Sequence, residues 1–467
     1  MNESPRKVSL AETRSLLFIA WPMFIAQLAQ MGTGVVDTLM AGNYGVRDLA
    51  AIAVGYNIWL PIWVFILGMM LAVTAIVAQD FGAGRVEKIR DALPQSLWLA
   101  LLLGIIAAPL CYSADPLLGL LNLDPATREK SLDYLQACAF GLPAAAIFQA
   151  LRCHTQGIGV LKPFAYASVI GFLANIPLNY AFIYGKWGAP ELGAAGCGWA
   201  TAISMWLGPI LIAFYIGRSR ALRDYLPPFQ WVPPKARELL AIWRLGLPIG
   251  LTLFLEIAVF SVLGLMIATL GDSAMGAHQI AFNVWDVVYI PLISLGAAIA
   301  TRVGHAIGAE NRDGVVASIA TGSLMMALIA LMATAMLLAY PELIVRAYTD
   351  DQAILALALA LIRLAALFII FDAVQVVTSF SLRAFKDTRY PFAIMCFAYW
   401  GVSVPLGYWW GLEIAANPAA ATQAFWIAMI IGIAIASALI SWRLLYRLRQ
   451  PLPQSQSSAQ GDIQTEF

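Results

Sequence analysis

The sequence predicts an all-α polytopic membrane protein, with twelve transmembrane helices in two pseudo-symmetric six-helix lobes. Three observations predict it: the length of the apolar blocks, the sidedness of the positive charge, and an internal repeat. Of the 467 residues, 61% are hydrophobic and only 12% are charged. A soluble globular chain carries about 25% charged residues. The apolar residues fall in blocks of roughly 20 to 30, each long enough to cross a bilayer of about 30 Å as a helix.

In chain order the blocks give spans near 15–41, 51–79, 89–112, 129–152, 160–184, 194–217, 239–270, 276–300, 315–340, 353–382, 391–411 and 421–443. The first is too long for a secretory signal and has no small-residue cleavage site. The fifth contains "NIPLN", with Asn175 and Asn179 four apart and Pro177 between them. A proline there frees a backbone carbonyl and bends the helix. After the sixth comes the longest connection, "GRSRALRDYLPPFQWVPPKAREL" (217–239), basic and carrying four prolines. It divides the spans six and six. The expected organisation is a cytoplasmic tail at 1–14, an N-lobe at 15–217, a cytoplasmic linker at 218–238, a C-lobe at 239–446 and a polar, disordered cytoplasmic tail at 447–467.

With the N-terminus in the cytoplasm, 22 of the 28 lysines and arginines fall on the cytoplasmic side. The outer loops hold Arg47, Arg128, Lys130, Lys186 and Arg346, and Arg363 lies inside a span. This bias places both termini in the cytoplasm. The net charge of +1 points to no nucleic-acid partner. The five cysteines show no metal spacing and read as small buried hydrophobes.

The halves are related by an internal repeat. At a shift of 226 residues Pro22 meets Pro248, Asn57 and Trp59 meet Asn283 and Trp285, and Gly82-Ala83 meets Gly308-Ala309. At 228 residues Pro163-Phe164 meets Pro391-Phe392 and "IPLNY" (176–180) meets "VPLGY" (404–408). An even number of spans per half makes the repeat parallel, the arrangement that builds a cavity between lobes able to open to either side.

Against this background most charged residues fall at span ends, and the acids that do not are Asp37, Glu256, Asp286 and Asp372. An aspartate at a helix centre costs about 2.5–3.5 kcal/mol on insertion scales, so such residues mark ion or substrate pathways. Their turn-spaced neighbours are polar or aromatic. Thr33 and Gln30 share the Asp37 face, Thr252 and Phe260 flank Glu256, and Phe368, Gln375 and Ser379 flank Asp372. Such surroundings suit a proton, a small cation or an amphiphilic organic cation. Asp286, in "NVWDVVY", is a further titratable candidate whose alternative is pairing with a nearby polar group. No phosphate-binding loop, H-E-x-x-H or G-x-S-x-G motif occurs. The chain therefore reads as a transporter, not an enzyme, driven by an ion gradient and holding no cofactor.

At this point the residues resemble a known family. "VVDTLMAG" (35–42), "VAQDFGAGR" (77–85), "QALRCHTQG" (149–157), the run 175–203, "GLPIGLTLFLE" (246–256), "AHQIAFN" (277–283) and "DAVQVV" (372–377) are similar to the multidrug and toxic compound extrusion (MATE) transporters, in their bacterial NorM-like branch. The resemblance implies a V of two six-helix lobes, acting as a monomer in the lipid bilayer. It also implies export of amphiphilic, often cationic drugs and dyes, such as fluoroquinolones and ethidium, in exchange for H⁺ or Na⁺.

By the same resemblance, Asp37 with Asn175, Asn179 and Thr33 forms an N-lobe ion-coupling set, and Glu256 and Asp372 form the C-lobe set. Substrate contacts fall on these acids and on Gln279, Phe260, Phe368, Asp350 and Asp351. Some Na⁺-coupled relatives have tyrosine where this chain has Phe368, and Asp286 is acidic where relatives are not. Both differences favour H⁺. Na⁺ at Asp37, Asn175 and Asn179 is the alternative. A flippase for lipid-linked precursors is a remote one, since flippases of that kind tend to have a cationic cavity and the deep charges here are acidic.

Overall fold

A computed structural model describes residues 9–121, 123–226 and 232–452. Parts of both expected tails (1–8 and 453–467) and of the linker (227–231) lie outside the described residues. The principal helices are α1 Leu10–Tyr44, α2 Val46–Gly82, α3 Val86–Tyr112, α4 Pro125–Ala139, α5 Leu142–Gly157, α6 Lys162–Tyr184, α7 Ala194–Arg218, α8 Ala236–Ala268, α9 Asp272–Gly308, α10 Arg312–Ala339, α11 Gln352–Ala384, α12 Arg389–Ile414 and α13 Pro418–Arg449. No strand occurs among the described residues. Eleven of these helices are long and apolar enough to cross a membrane, and α4 with α5 makes a twelfth span. The chain is a multi-pass membrane protein. Most helices outrun the predicted spans, because apolarity marks only the hydrocarbon core while the helix continues into the interface.

Two spans depart from simple helices. The expected fourth span, 129–152, is broken, with α4 and α5 bent by 45°. Gly141 and Pro143 account for the break. Proline has no N–H to give, and its ring collides with the carbonyl four residues back. The eleventh span, α12, widens into π-helical turns at Cys396–Ser403 and Trp409–Ile414, on either side of a short α-helical stretch holding Pro405.

By packing, the chain forms two compact units: residues 21–250, the N-terminal unit, and residues 1–20 with 251–467, the C-terminal unit. The boundaries fall inside α1 and α8, not in the linker. Within the N-terminal unit the first part of α8 lies backbone to backbone on α2. A Cβ added to Gly68 would stand 2.6 Å from the Gly250 Cα. The end of the linker is strapped to α3, where buried Gln95 donates to Pro233 O and accepts from Lys235 N, and Trp98 donates to Val232 O. Met69, Met70, Leu135 and Phe164 fill the core.

In the C-terminal unit the start of α1 is held by an ion pair. Arg302 Nε and Nη2 donate to the two Glu12 oxygens at 2.9 and 2.7 Å, and Ser318 Oγ donates to Glu12 Oε1 at 2.7 Å. Phe368, Phe425 and Trp426 are the largest fully buried side chains of this unit. Elsewhere both units expose large apolar side chains along their helices, Ile210, Phe214, Leu331 and Met332 among them. That surface would be a liability in water and suits lipid.

Candidate functional site

Each unit holds a buried carboxylate centre with no lysine or arginine hydrogen-bonded to it, unlike buried Asp48 and Asp80, which pair with Lys130 and Arg85. In the N-terminal unit Asp37 projects from α1 toward α6 and α7. Its Oδ1 accepts from Asn179 Nδ2 at 2.6 Å, and its Oδ2 accepts from Thr201 Oγ1 at 3.3 Å. The same Asn179 Nδ2 reaches Asn175 Oδ1 at 2.8 Å. Both asparagines are fully buried, and each keeps one unpartnered amide atom, Asn175 Nδ2 and Asn179 Oδ1. The i, i+4 spacing on α6 stacks the amides on one face, as the sequence predicts. Thr33 does not join them. Its hydroxyl donates to Ala29 O at 3.1 Å, within its own helix. The hydroxyl at Asp37 is that of Thr201, on α7, which no spacing within α1 could have revealed.

In the C-terminal unit Asp372, 4% exposed, accepts at Oδ2 from Trp285 Nε1 at 3.0 Å. Glu256, half-buried on α8, accepts from Gln375 Nε2 at 3.3 Å. Gln375, expected beside Asp372, thus serves Glu256, while the Ser379 hydroxyl is buried without a partner. Aromatic rings wall the centre. Phe260 stacks on Trp285 at 5.0 Å and meets Phe368 edge-on at 6.4 Å, and Trp285 stacks on Tyr289 at 5.1 Å. Predicted Phe260 and Phe368 therefore pack on Trp285, the ring that donates to Asp372, and Tyr289 stacks on the same ring. Trp285 carried a signal, since it is one of the repeat-matched tryptophans.

The remaining candidates stand apart. Gln279 is exposed and donates to Asn283 Oδ1 at 3.0 Å, along its own helix. Asp286 is exposed and is not hydrogen-bonded to the other acids. Asp350 and Asp351 are exposed, and Asp351 caps α11 by accepting from Ala353 N at 2.8 Å and Ile354 N at 3.2 Å. A capping carboxylate is explained by the helix end alone. Acids are also not the only deep charges. Arg152 on α5 is 4% exposed, and Arg383 on α11 lies over the Phe380 ring at 4.4 Å and within electrostatic reach of Glu256.

What these centres can do follows from their chemistry. A carboxylate shielded from water and held by neutral donors can take up a proton, a metal cation or an organic cation, but not two of these at once. Aromatic faces beside Glu256 and Asp372 add attraction for cations.

Comparison with known proteins fits this picture. A family model described as MatE matches the chain twice, over residues 22–181 and 248–409. The two matches begin 226 residues apart and end 228 apart, the offsets of the internal repeat. The chain is 39% identical over 443 residues to the multidrug resistance protein MdtK of Photorhabdus laumondii, covering 95% of this chain and 97% of that one. It is 38% identical over 441 residues to the multidrug resistance protein NorM of Vibrio cholerae, covering 94% and 96%. Its fold matches the crystal structure of the eukaryotic MATE transporter AtDTX14 with a TM-score of 0.85 at 20% identity, over 94% of this chain and 98% of that one. With both halves matched and relatives of this identity along nearly the whole length, the chain belongs to the MatE family, in its bacterial NorM-like branch.

Proposed function

We propose that this protein is a multidrug efflux antiporter that exports amphiphilic, often cationic drugs and dyes, fluoroquinolones and ethidium-like compounds among them, in exchange for protons. It works as a monomer in the inner membrane, with both termini in the cytoplasm, an orientation supported by the lysine and arginine bias. The names of its relatives support the substrate class. The observation that carries the exchange reading is that each unit has buried acids held only by neutral hydrogen-bond donors, Asp37 in one and Glu256 with Asp372 in the other.

The mechanism is competition. An ionised acid holds a cationic drug. A proton arriving from outside neutralises that acid, the drug loses its counter-charge and leaves, and the proton is later released to the cytoplasm. Each ligand shifts the equilibrium between outward and inward forms only through its differential affinity for the two.

Protons are favoured by the groups around Asp37. Its partners face it with an amide N–H and a hydroxyl, donors to a carboxylate and not a cage of oxygens. Na⁺ is the second reading, and one observation favours it. Turning the Asn179 amide over would bring its Oδ1 against Asp37 Oδ1 and Asn175 Oδ1, three oxygens converging as Na⁺ requires. Proteoliposomes separate the two. Ethidium transport driven by an imposed pH gradient without Na⁺ supports protons, and transport that requires Na⁺ at fixed pH overturns them.

A further inference from the structure

We propose that the N-terminal unit binds a small inorganic anion of the chloride class at Arg152 and Gln149, away from the Asp37 centre. Arg152 sits on α5 with 4% of its surface exposed, its guanidinium over the Phe164 ring at 4.6 Å. Nη1 donates to Gln149 Oε1 at 2.9 Å, while Nη2 finds only the Met23 sulfur at 3.4 Å. Two buried donors are left over one turn apart, the Arg152 Nε–H and the Gln149 Nε2 amide. Guanidinium keeps its charge in proteins, and no carboxylate among the described residues pairs with it.

Its neighbours do not supply the missing charge. Thr155 Oγ1 donates to the Arg152 carbonyl. Ser96 gives its proton to Leu93 O, so it accepts from His154 Nε2, and His154 Nδ1 has no partner. The contrast lies in the other unit's deep arginine, Arg383. Arg383 also covers a phenylalanine ring but has Glu256 within electrostatic reach. A buried cation without a counter-ion is strongly unfavourable, and an anion accepting from both spare donors removes the penalty. Gln149 is fully buried, so a monoatomic ion suits the place and a lipid phosphate does not.

The test is thermal unfolding of the purified full chain, followed with a thiol-reactive dye, since Cys111, Cys138, Cys153 and Cys197 are free and buried. Sodium chloride is titrated against sodium gluconate at constant Na⁺, ionic strength and pH. A saturable rise in Tm with chloride, reproduced by bromide but not by sulfate and absent in Arg152→Gln, is expected. No difference between chloride and gluconate, an equal response to sulfate, or an unchanged response in Arg152→Gln overturns the proposal. If Arg152→Gln does not fold, Gln149→Leu decides. It should raise the half-saturating chloride concentration about tenfold, the effect of losing one hydrogen bond to a charged ligand. An unchanged midpoint overturns the site.

Discussion

Asn179 Nδ2 stands 2.6 Å from Asp37 Oδ1 and 2.8 Å from Asn175 Oδ1, so a single amide group bridges the acid of α1 to the next turn of α6. With Thr201 on the other oxygen, three helices meet at one carboxylate. The acid is thus anchored without a cationic side chain hydrogen-bonded to it. A lysine or arginine there would hold the charge permanently and leave nothing for a transported cation to displace.

Replacing Asp37 by Asn should abolish ethidium efflux while the protein stays folded. The amide is nearly isosteric and can still accept from Thr201 or Asn179 after rotation. Tm should fall by no more than a few degrees, and transport should drop to the background of empty vesicles. Wild-type efflux by this variant would overturn the exchange mechanism.

Asn179→Leu should act differently, lowering both transport and stability. It removes the donor shared by Asp37 Oδ1 and Asn175 Oδ1 and leaves both buried oxygens without that partner. Leaving a buried acceptor unsatisfied costs about 1–3 kcal/mol. The unfolding temperature of Asn179→Leu should therefore lie below that of Asp37→Asn, and the order of the two reads directly in a melting assay.

Much of this centre was legible in the residues. An aspartate in an apolar block has few inexpensive explanations, and two asparagines four apart on one helix share a face. Thr201 was not legible, because which helix faces α1 is decided by packing between segments far apart in sequence. Thr33 shares the Asp37 face by helical spacing, but its hydroxyl proton goes to a carbonyl of its own helix, as a threonine in a helix commonly does. The broken fourth span was hidden because hydropathy runs on through Gly141 and Pro143. Arg152 and Arg383 passed as end charges because hydropathy fixes depth only to within several residues. The twelve-span fold and its duplication were legible in full, since apolar block length and repeat offset survive such local errors.

In the C-terminal unit, Trp285→Phe should separate packing from hydrogen bonding. The ring stack on Phe260 and Tyr289 survives, while the donor to Asp372 Oδ2 is lost. Stability should fall by about 1–3 kcal/mol. Transport of ethidium should weaken several-fold if Asp372 works in the cycle, and an unchanged rate would confine Asp372 to a structural role.

Glu12→Gln should loosen the start of α1. The paired side chains are partly buried, Arg302 at 33% and Glu12 at 11% exposure, so solvent screens the pair only in part. Loss of the charge on one side should cost about 1–3 kcal/mol, less than for a fully buried pair. Faster hydrogen exchange in residues 9–20, with the rest of the chain unchanged, is the expected signature.

Gly193→Ala tests the junction that presents α7, and with it Thr201, to Asp37. Gly193 has φ of +56°, a conformation that L side chains rarely adopt, and an added Cβ would stand 2.6 Å from Asp48 Oδ1 and 2.9 Å from the Tyr44 ring. Asp48 cannot yield without loss, because it accepts from Ala194 N at 2.9 Å and from Lys130 Nζ at 2.6 Å. Gly188→Ala is the control. Its φ is +82° but its Cβ would meet open space, so it reports backbone strain alone, about 1–3 kcal/mol. The expected order of melting temperatures is wild type, then Gly188→Ala, then Gly193→Ala. The gap between the two variants measures the cost of displacing Asp48 and the Tyr44 ring from the start of α7, together with the more demanding backbone conformation of Gly193. Equal temperatures would mean that Asp48 and Tyr44 move aside freely and do not fix the junction.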